Sequence, residues 1–141
     1  MIVGIGVDMV NVPRFAATLA TVSALRGLYF APEELRDEAG QPRSTGSLAA
    51  RYAAKEAVAK ALGLPSGGMR HKECRVLPGP SGEPLVQTSG SVASAAARAG
   101  VTRWHASLSL EGDVAIALVV AEHDEGRQAG AMGWRSDETG V

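Results

Sequence analysis

The sequence predicts an α+β domain, a mostly antiparallel sheet with a long central helix, and three observations carry that prediction. The elements read in the order strand, helices, strands, helix, strands, without the regular alternation of a doubly wound fold. Residues 1–8 and 104–121 alternate with period two, as half-buried strands do. Between them, "LAARYAAKEAVAKALG" (residues 48–63) is rich in alanine and free of proline and of internal glycine, so it reads as one long helix.

Each element has its own local reason. In the first strand Val3, Ile5 and Val7 share one face; Ile2, Gly4, Gly6 and Asp8 share the other. The second face is nearly bare, so another element can approach its backbone closely. Asp8 ends this strand. Asn11 is a good N-cap and Pro13 suits a first turn, which predicts a helix over residues 12–25. Pro32 opens a short helical turn with Glu33 and Glu34 near its positive end. Residues 38–46 are rich in Gly, Pro, Ser and Thr and read as loop. Ser47 is placed to cap the long helix, which runs to Leu62 and is ended by Gly63 and Pro65. Residues 74–77 and 85–88 read as strands around the turn-forming "PGPSGEP". An Ala-rich helix over residues 91–99 is closed by Gly100, and residues 104–110 and 114–121 form a final hairpin across "EGD". The domain therefore spans residues 1–121, and the polar, Gly-rich residues 122–141 are expected to be a disordered tail.

Composition narrows the classes. The 141 residues suffice for one domain with a core, and 45% hydrophobic content is globular. Aromatics are only 4%, so Ala, Val, Leu and Ile must build the core. In such a domain an Ala-rich helix is expected to bury itself against another subunit. No apolar run approaches the ~20 residues of a membrane span. "MIVGIGVDMV" lacks the basic flank and cleavage site of a signal peptide. Cys74 is the only cysteine, which excludes a disulfide within the chain and a Cys-based zinc site. A cytoplasmic protein is expected. The net charge of -1 says nothing about partners, but residues 12–75 carry a net +4 and residues 111–141 a net -5. A basic half suits a polyanion or an acidic protein, or is simply a solvated mixture of charges.

The chemistry-bearing residues gather on two elements. Gly4-Ile5-Gly6 is no dinucleotide fingerprint, because Met9 stands where the third glycine belongs. Asp8 reads either as a carboxylate capping the next helix or as a metal ligand or base. On the long helix Arg51, Lys55, Glu56 and Lys60 fall within about a half-circle. Glu56 and Lys60 are four apart, which alone accounts for them as a surface ion pair of about 0.3–0.5 kcal/mol. The neighbours Ala49, Ala53, Ala59 and Gly63 are small and leave room for a ligand. Mg²⁺ takes one or two protein carboxylates together with phosphates and water. Asp8 and Glu56 supply two if strand and helix meet, and Lys55, Lys60 and Arg51 then neutralise a phosphate chain, as transfer at phosphorus requires. His105 shares a strand face with Ser107 and Ser109, either exposed or as a polar pocket wall. His71 and His123 fall in loop and tail and carry no reading.

Three segments, "GIGVDMVNVPRF", "RYAAKEAVAKALG" and "WHASLSLEGDVAIALVVAE", resemble the motifs of holo-(acyl-carrier-protein) synthases, the small type of 4'-phosphopantetheinyl transferase. They occur in family order over residues 4–121. The resemblance implies the 4'-phosphopantetheinyl transferase fold, a homotrimer with active sites between neighbouring subunits, and a Mg²⁺-dependent reaction. In that reaction the serine of an apo acyl carrier protein attacks the β-phosphate of coenzyme A, and 3',5'-ADP leaves. By the same resemblance Asp8 and Glu56 match the metal-binding carboxylates and Lys60 the lysine on the pyrophosphate, these three forming the catalytic set. Arg51 and Lys55 flank that site, Arg43 helps with coenzyme A, and His105 matches a histidine of the last motif. Arg14 matches a basic position that docks the carrier's acidic helix. The partners implied are carrier and coenzyme A, with no nucleic acid and no membrane. Two positions depart from the pattern: Leu110 stands where a second histidine is usual, and Asn11 where Glu is common. Losing a general base costs about 10²–10⁴-fold, so the alternative expectation is a weakly active or inactive relative that binds coenzyme A or carrier without efficient turnover.

Overall fold

The computed structural model describes residues 1–126. Five strands and four helices follow one another as β1 (Ile2–Asn11), α1 (Val12–Thr21), α2 (Leu25–Tyr29), α3 (Thr45–Ala61), β2 (Cys74–Pro78), β3 (Pro84–Thr88), α4 (Gly90–Arg98), β4 (Arg103–Glu111) and β5 (Val114–Glu122). One-turn 3₁₀ helices at Pro32–Glu34 and His71–Glu73 complete the list. β5 lies between β1 and β4 in a three-stranded sheet, and β2 and β3 form a separate hairpin; every pairing is antiparallel.

The glycine face of β1 is where the sheet meets α3. A Cβ placed on Gly4 would lie 2.0 Å from the carbonyl oxygen of Ala61, and one on Gly6 would lie 1.8 Å from that of Ala57. Only glycine lets the two backbones come this close. The helix answers with alanines: Ala53, Ala54 and Ala57 are fully buried, and so are Ala115, Ala117, Val119 and Ala121, the alternate residues of β5 on the same side. On its far side α3 is covered by Phe30 and by Val76 and Cys74 of β2. The small-residue helix is thus buried inside its own protomer, not against another subunit as expected, because the glycines and alanines of the sheet give it a matching surface.

The uncovered apolar surface is the opposite face of the sheet. Ile5, Val7, Met9 and Leu118 there are between 45 and 64% exposed. The register Ile5–Val120–His105 and Val7–Leu118–Ser107 puts His105 and Ser107 on that same face.

Several strand and helix ends shift by one residue from the sequence reading, and four other differences have a physical cause. β1 continues past Asp8 to Asn11, because β5 supplies partners down to Val114. α1 stops at Thr21, where Thr18 and Thr21 turn their hydroxyls back onto helix carbonyls and β-branched Val22 leaves the helical region; α2 then forms separately. α3 begins at Thr45, because Ser44, not Ser47, is the cap and accepts from the Ser47 N–H at 3.2 Å. The expected tail starts one residue inside β5, at Glu122, and from residue 127 on it lies outside the described residues. Asn11 does cap α1, accepting from the Arg14 N–H at 2.9 Å. Among the described residues no helix is long and apolar enough to cross a membrane.

Candidate functional site

Asp8 follows Gly4 and Gly6 on the face that α3 covers, so its side chain is the first on that line to emerge beside the helix. It meets Lys60, whose ammonium donates to Asp8 Oδ1 and to the Val7 carbonyl, both at 2.8 Å. Asp8 and Glu56 together line a solvent-open cleft of about 360 Å³, walled also by Asn11, Arg14, Phe15 and Tyr52. The structure therefore brings together four of the anticipated residues: Asp8, Glu56, Lys60 and Arg14.

Lys60 spans to Asp8 and Glu56 takes a different partner, so the simple i, i+4 surface pair is not what either side chain does. His71 Nε2 lies 2.5 Å from Glu56 Oε1. An ionised carboxylate only accepts, so Nε2 carries the proton and donates. The Glu56 carboxyl is held below the usual carboxylate range, first by this hydrogen bond, against the opposing effect of burial, with help from the charges of His71 and Lys60 and from the Tyr52 hydroxyl. The His71 ring stacks on Tyr52 with centroids 5.2 Å apart at 11°, and packs against Tyr29 at 5.0 Å. Burial, then the Glu56 charge, pushes the Tyr52 phenol well above its ordinary pKa, so it stays a neutral donor.

Lys55 does not belong among the ligand-binding residues. Its side chain has no exposed surface; its ammonium donates to Glu34 Oε2 at 2.8 Å, to the Tyr29 carbonyl at 2.7 Å and to the His71 carbonyl at 3.0 Å. All three ammonium protons are thereby used, and Phe30 covers the same charge at 5.1 Å. Helical spacing put Lys55 beside Glu56, but the inward turn of position 55 commits it to the core.

Arg51 lies about 140° around the helix axis from Glu56. Its Nε donates to the Val76 carbonyl at 3.1 Å and its Nη1 to Ser47 Oγ at 2.6 Å. Burial, and then the charge of nearby Arg43, lower its pKa to about 10. Arg43 Nε is buried without a hydrogen-bond partner. Two guanidiniums so placed make an electropositive spot, which the Glu34 carboxylate only partly offsets. It lies on a different side of α3 from the Asp8–Glu56 cleft. His105 is also apart from that cleft, on the outer sheet face, donating from Nε2 to Glu122 Oε2 at 2.6 Å. Leu110 lies opposite Ala115 and rests on Gly46, where a Cβ would come within 2.8 Å of Leu110 Cδ2.

Among the described residues no three His, Cys, Asp or Glu side chains are grouped to hold a metal. Two carboxylates on an open cleft are not a closed cage, but they match what a Mg²⁺ ion that keeps its waters and takes substrate phosphates asks of a protein. The donor set fits. Sequence reasoning missed His71, Tyr29 and Tyr52. Tyr52 had a signal, one helical turn before Glu56; His71, after a Gly-rich loop, had none.

A family model described as the 4'-phosphopantetheinyl transferase superfamily matches residues 4–119. A holo-[acyl-carrier-protein] synthase of Salinispora arenicola is 51% identical over 122 residues, covering 86% of this chain and 99% of that one. The corresponding protein of Micrococcus luteus is 51% identical over 125 residues, covering 86% and 93%. Among solved structures, the holo-[acyl-carrier-protein] synthase of Neisseria meningitidis superposes with a TM-score of 0.74 at 34% identity, covering 86% of this chain and 99% of that one. The Chronobacterium ammoniagenes ACPS–CoA complex gives 0.73 at 30% identity, covering 86% and 98%.

Proposed function

Because the chain belongs to the 4'-phosphopantetheinyl transferase superfamily, among its holo-[acyl-carrier-protein] synthases, we propose that it moves the 4'-phosphopantetheine arm of coenzyme A onto the serine of an apo acyl carrier protein in the cytoplasm, with Mg²⁺. The serine oxygen forms a bond to the β-phosphorus, the bond from that phosphorus to the bridging oxygen breaks, 3',5'-ADP leaves, and the serine proton passes to a base. The observation that carries this reading is the meeting of Asp8 and Glu56 on one cleft that Arg14 also lines, with Lys60 held on Asp8.

Asp8 and Glu56 would hold the Mg²⁺ ion. Bound there, the ion supplies neutralisation of the phosphate oxygens. The lowered pKa of Glu56 suits a residue that holds a cation and makes it a weak proton acceptor at neutral pH. Lys60, whose side chain is 54% exposed, can turn its ammonium from Asp8 and the Val7 carbonyl to the pyrophosphate. Arg14, exposed on α1, offers a charge to an acidic carrier helix, which sets encounter rate and register. Arg43, its Nε buried without a hydrogen-bond partner, and Arg51 lie on another side of α3, and His105 is on the outer sheet face. A homotrimer in which these groups reach the Asp8–Glu56 cleft of a neighbour brings all of them to one coenzyme A.

The test is the intact mass of an apo carrier after incubation with coenzyme A and Mg²⁺. We expect mass gain by one phosphopantetheine, and a fall of about 10²–10³-fold in rate for Asp8→Asn and Glu56→Gln, the loss typical of one electrostatic group at a reacting phosphate. No gain on any cognate carrier would reject the reading. Leu110 favours the second reading, a weakly active relative, because it is apolar and packed on Gly46. A large rate rise in Leu110→His would support that reading; an unchanged rate would show that another group takes the proton.

A further inference from the structure

The geometry points to His71 as a positioning residue that fixes the carboxylate of Glu56 for cation binding. The inference rests on the reading that Asp8 and Glu56 hold the metal. A glutamate on a helix surface rotates about several side-chain bonds, and a carboxylate that waits for a cation loses affinity if it must be ordered on binding. Glu56 is ordered beforehand by the His71 N–H at 2.5 Å.

His71 can do this because it is itself immobile. Its ring is held between Tyr52 and Tyr29, and its side chain is only 14% exposed. Its backbone carbonyl accepts from the buried Lys55 ammonium at 3.0 Å. Lys55 and Glu56 are consecutive on α3, so the contacts close a ring: helix to Lys55, Lys55 to the His71 backbone, the His71 ring to Glu56, and Glu56 back to the helix. Glu34, which takes Lys55 at 2.8 Å and the Val76 N–H at 2.9 Å, ties that ring to β2. His71 also lines a second, smaller pocket of about 120 Å³ with Glu56, Lys60, Leu64 and Met69, so Glu56 faces both hollows while His71 holds it from the second. The lowered pKa of Glu56 agrees, since its largest cause is this hydrogen bond.

Carboxylates that bind metals are commonly held by such outer contacts, whose removal weakens metal binding by about 10–100-fold. The test measures Mn²⁺ affinity in the presence of 3',5'-ADP, from the electron paramagnetic resonance of free Mn²⁺, alongside thermal unfolding. His71→Phe keeps the ring stack and loses the donor. His71→Gln and His71→Met have similar length and differ in the N–H, so their contrast decides the matter even if the Phe variant does not fold. We expect about tenfold weaker Mn²⁺ binding in the Phe and Met variants, with the Gln variant close to wild type. Equal binding in all three His71 variants, or tighter binding in the Phe variant, while Glu56→Gln loses binding, would overturn the positioning role alone. Unchanged binding in Glu56→Gln would overturn the metal reading and this inference with it.

Discussion

The Lys55 ammonium lies in a place with no solvent, paired with the equally buried Glu34 carboxylate. Burial lowers the lysine's pKa and the carboxylate beside it resists that shift. Breaking such a pair by removing one partner leaves the other charge uncompensated, which costs about 3–5 kcal/mol. We therefore expect Lys55→Met to lose about that much stability in urea titration, whereas an Arg14→Ala variant, exposed on α1, stays within about 0.5 kcal/mol of wild type. At this scale the sequence was legible wherever backbone periodicity alone places the side chain. Asp8 follows from the alternation of β1, and Glu56 and Lys60 from helical spacing. It was not legible for Lys55, because spacing gives an angle around the helix but not what covers that side. Nor was it for His71, whose partner is fifteen residues away and reached through a loop.

The elements are held where the site needs them by two devices. The first is the contact of bare β1 backbone with α3. In Gly6→Ala the new methyl would meet the Ala57 carbonyl, a backbone atom that cannot turn aside. We expect a loss at or above the ~1–3 kcal/mol usual for overpacking, together with lower transferase rate as α3 lifts from Asp8. The second device is the cap of α4. Ser89 offers no side-chain cap to this helix. Glu73 does so instead, accepting from the Ser91 N–H at 2.8 Å, from the Val92 N–H at 3.3 Å and from the Ser91 hydroxyl. Glu73→Ala should cost about 1 kcal/mol, as lost caps do. The Ser91 hydroxyl, then the backbone N–H groups, hold the Glu73 carboxyl below the usual range. Its stabilising contribution is thus present above the ordinary carboxylate pKa near ~4.3 and is lost as pH falls through the lowered value. The Glu73→Ala variant should lack that part of the acid dependence in a thermal series below about pH 4.5. The glycine face, the long helix and the final hairpin could be read from sequence. The split of α1 from α2 could not, because back-bonding threonines compete with the helix only by a small margin.

For the whole molecule the unresolved demand is the outer face of the sheet. Ile5, Val7, Met9 and Leu118 form a continuous exposed apolar surface, larger in character than single surface residues require. A trimer that covers it is expected to sediment as one species, and Ile5→Asp, placing a charge in that surface, to shift it to monomer. In the proposed trimer the Arg43–Arg51 pair and His105 of one protomer would meet the Asp8–Glu56 cleft of another. The sequence showed the residue types of both halves but could not show that one protomer keeps them apart. The most direct measurement is transfer to an apo carrier by a co-expressed mixture of Glu56→Gln and Arg51→Ala chains, each nearly inactive alone. In a ring with head-to-tail interfaces, about a quarter of the sites pair an intact Glu56 with an intact Arg51, so activity should return to about a quarter of wild type. A mixture no more active than the two variants measured separately would contradict a site built from two protomers.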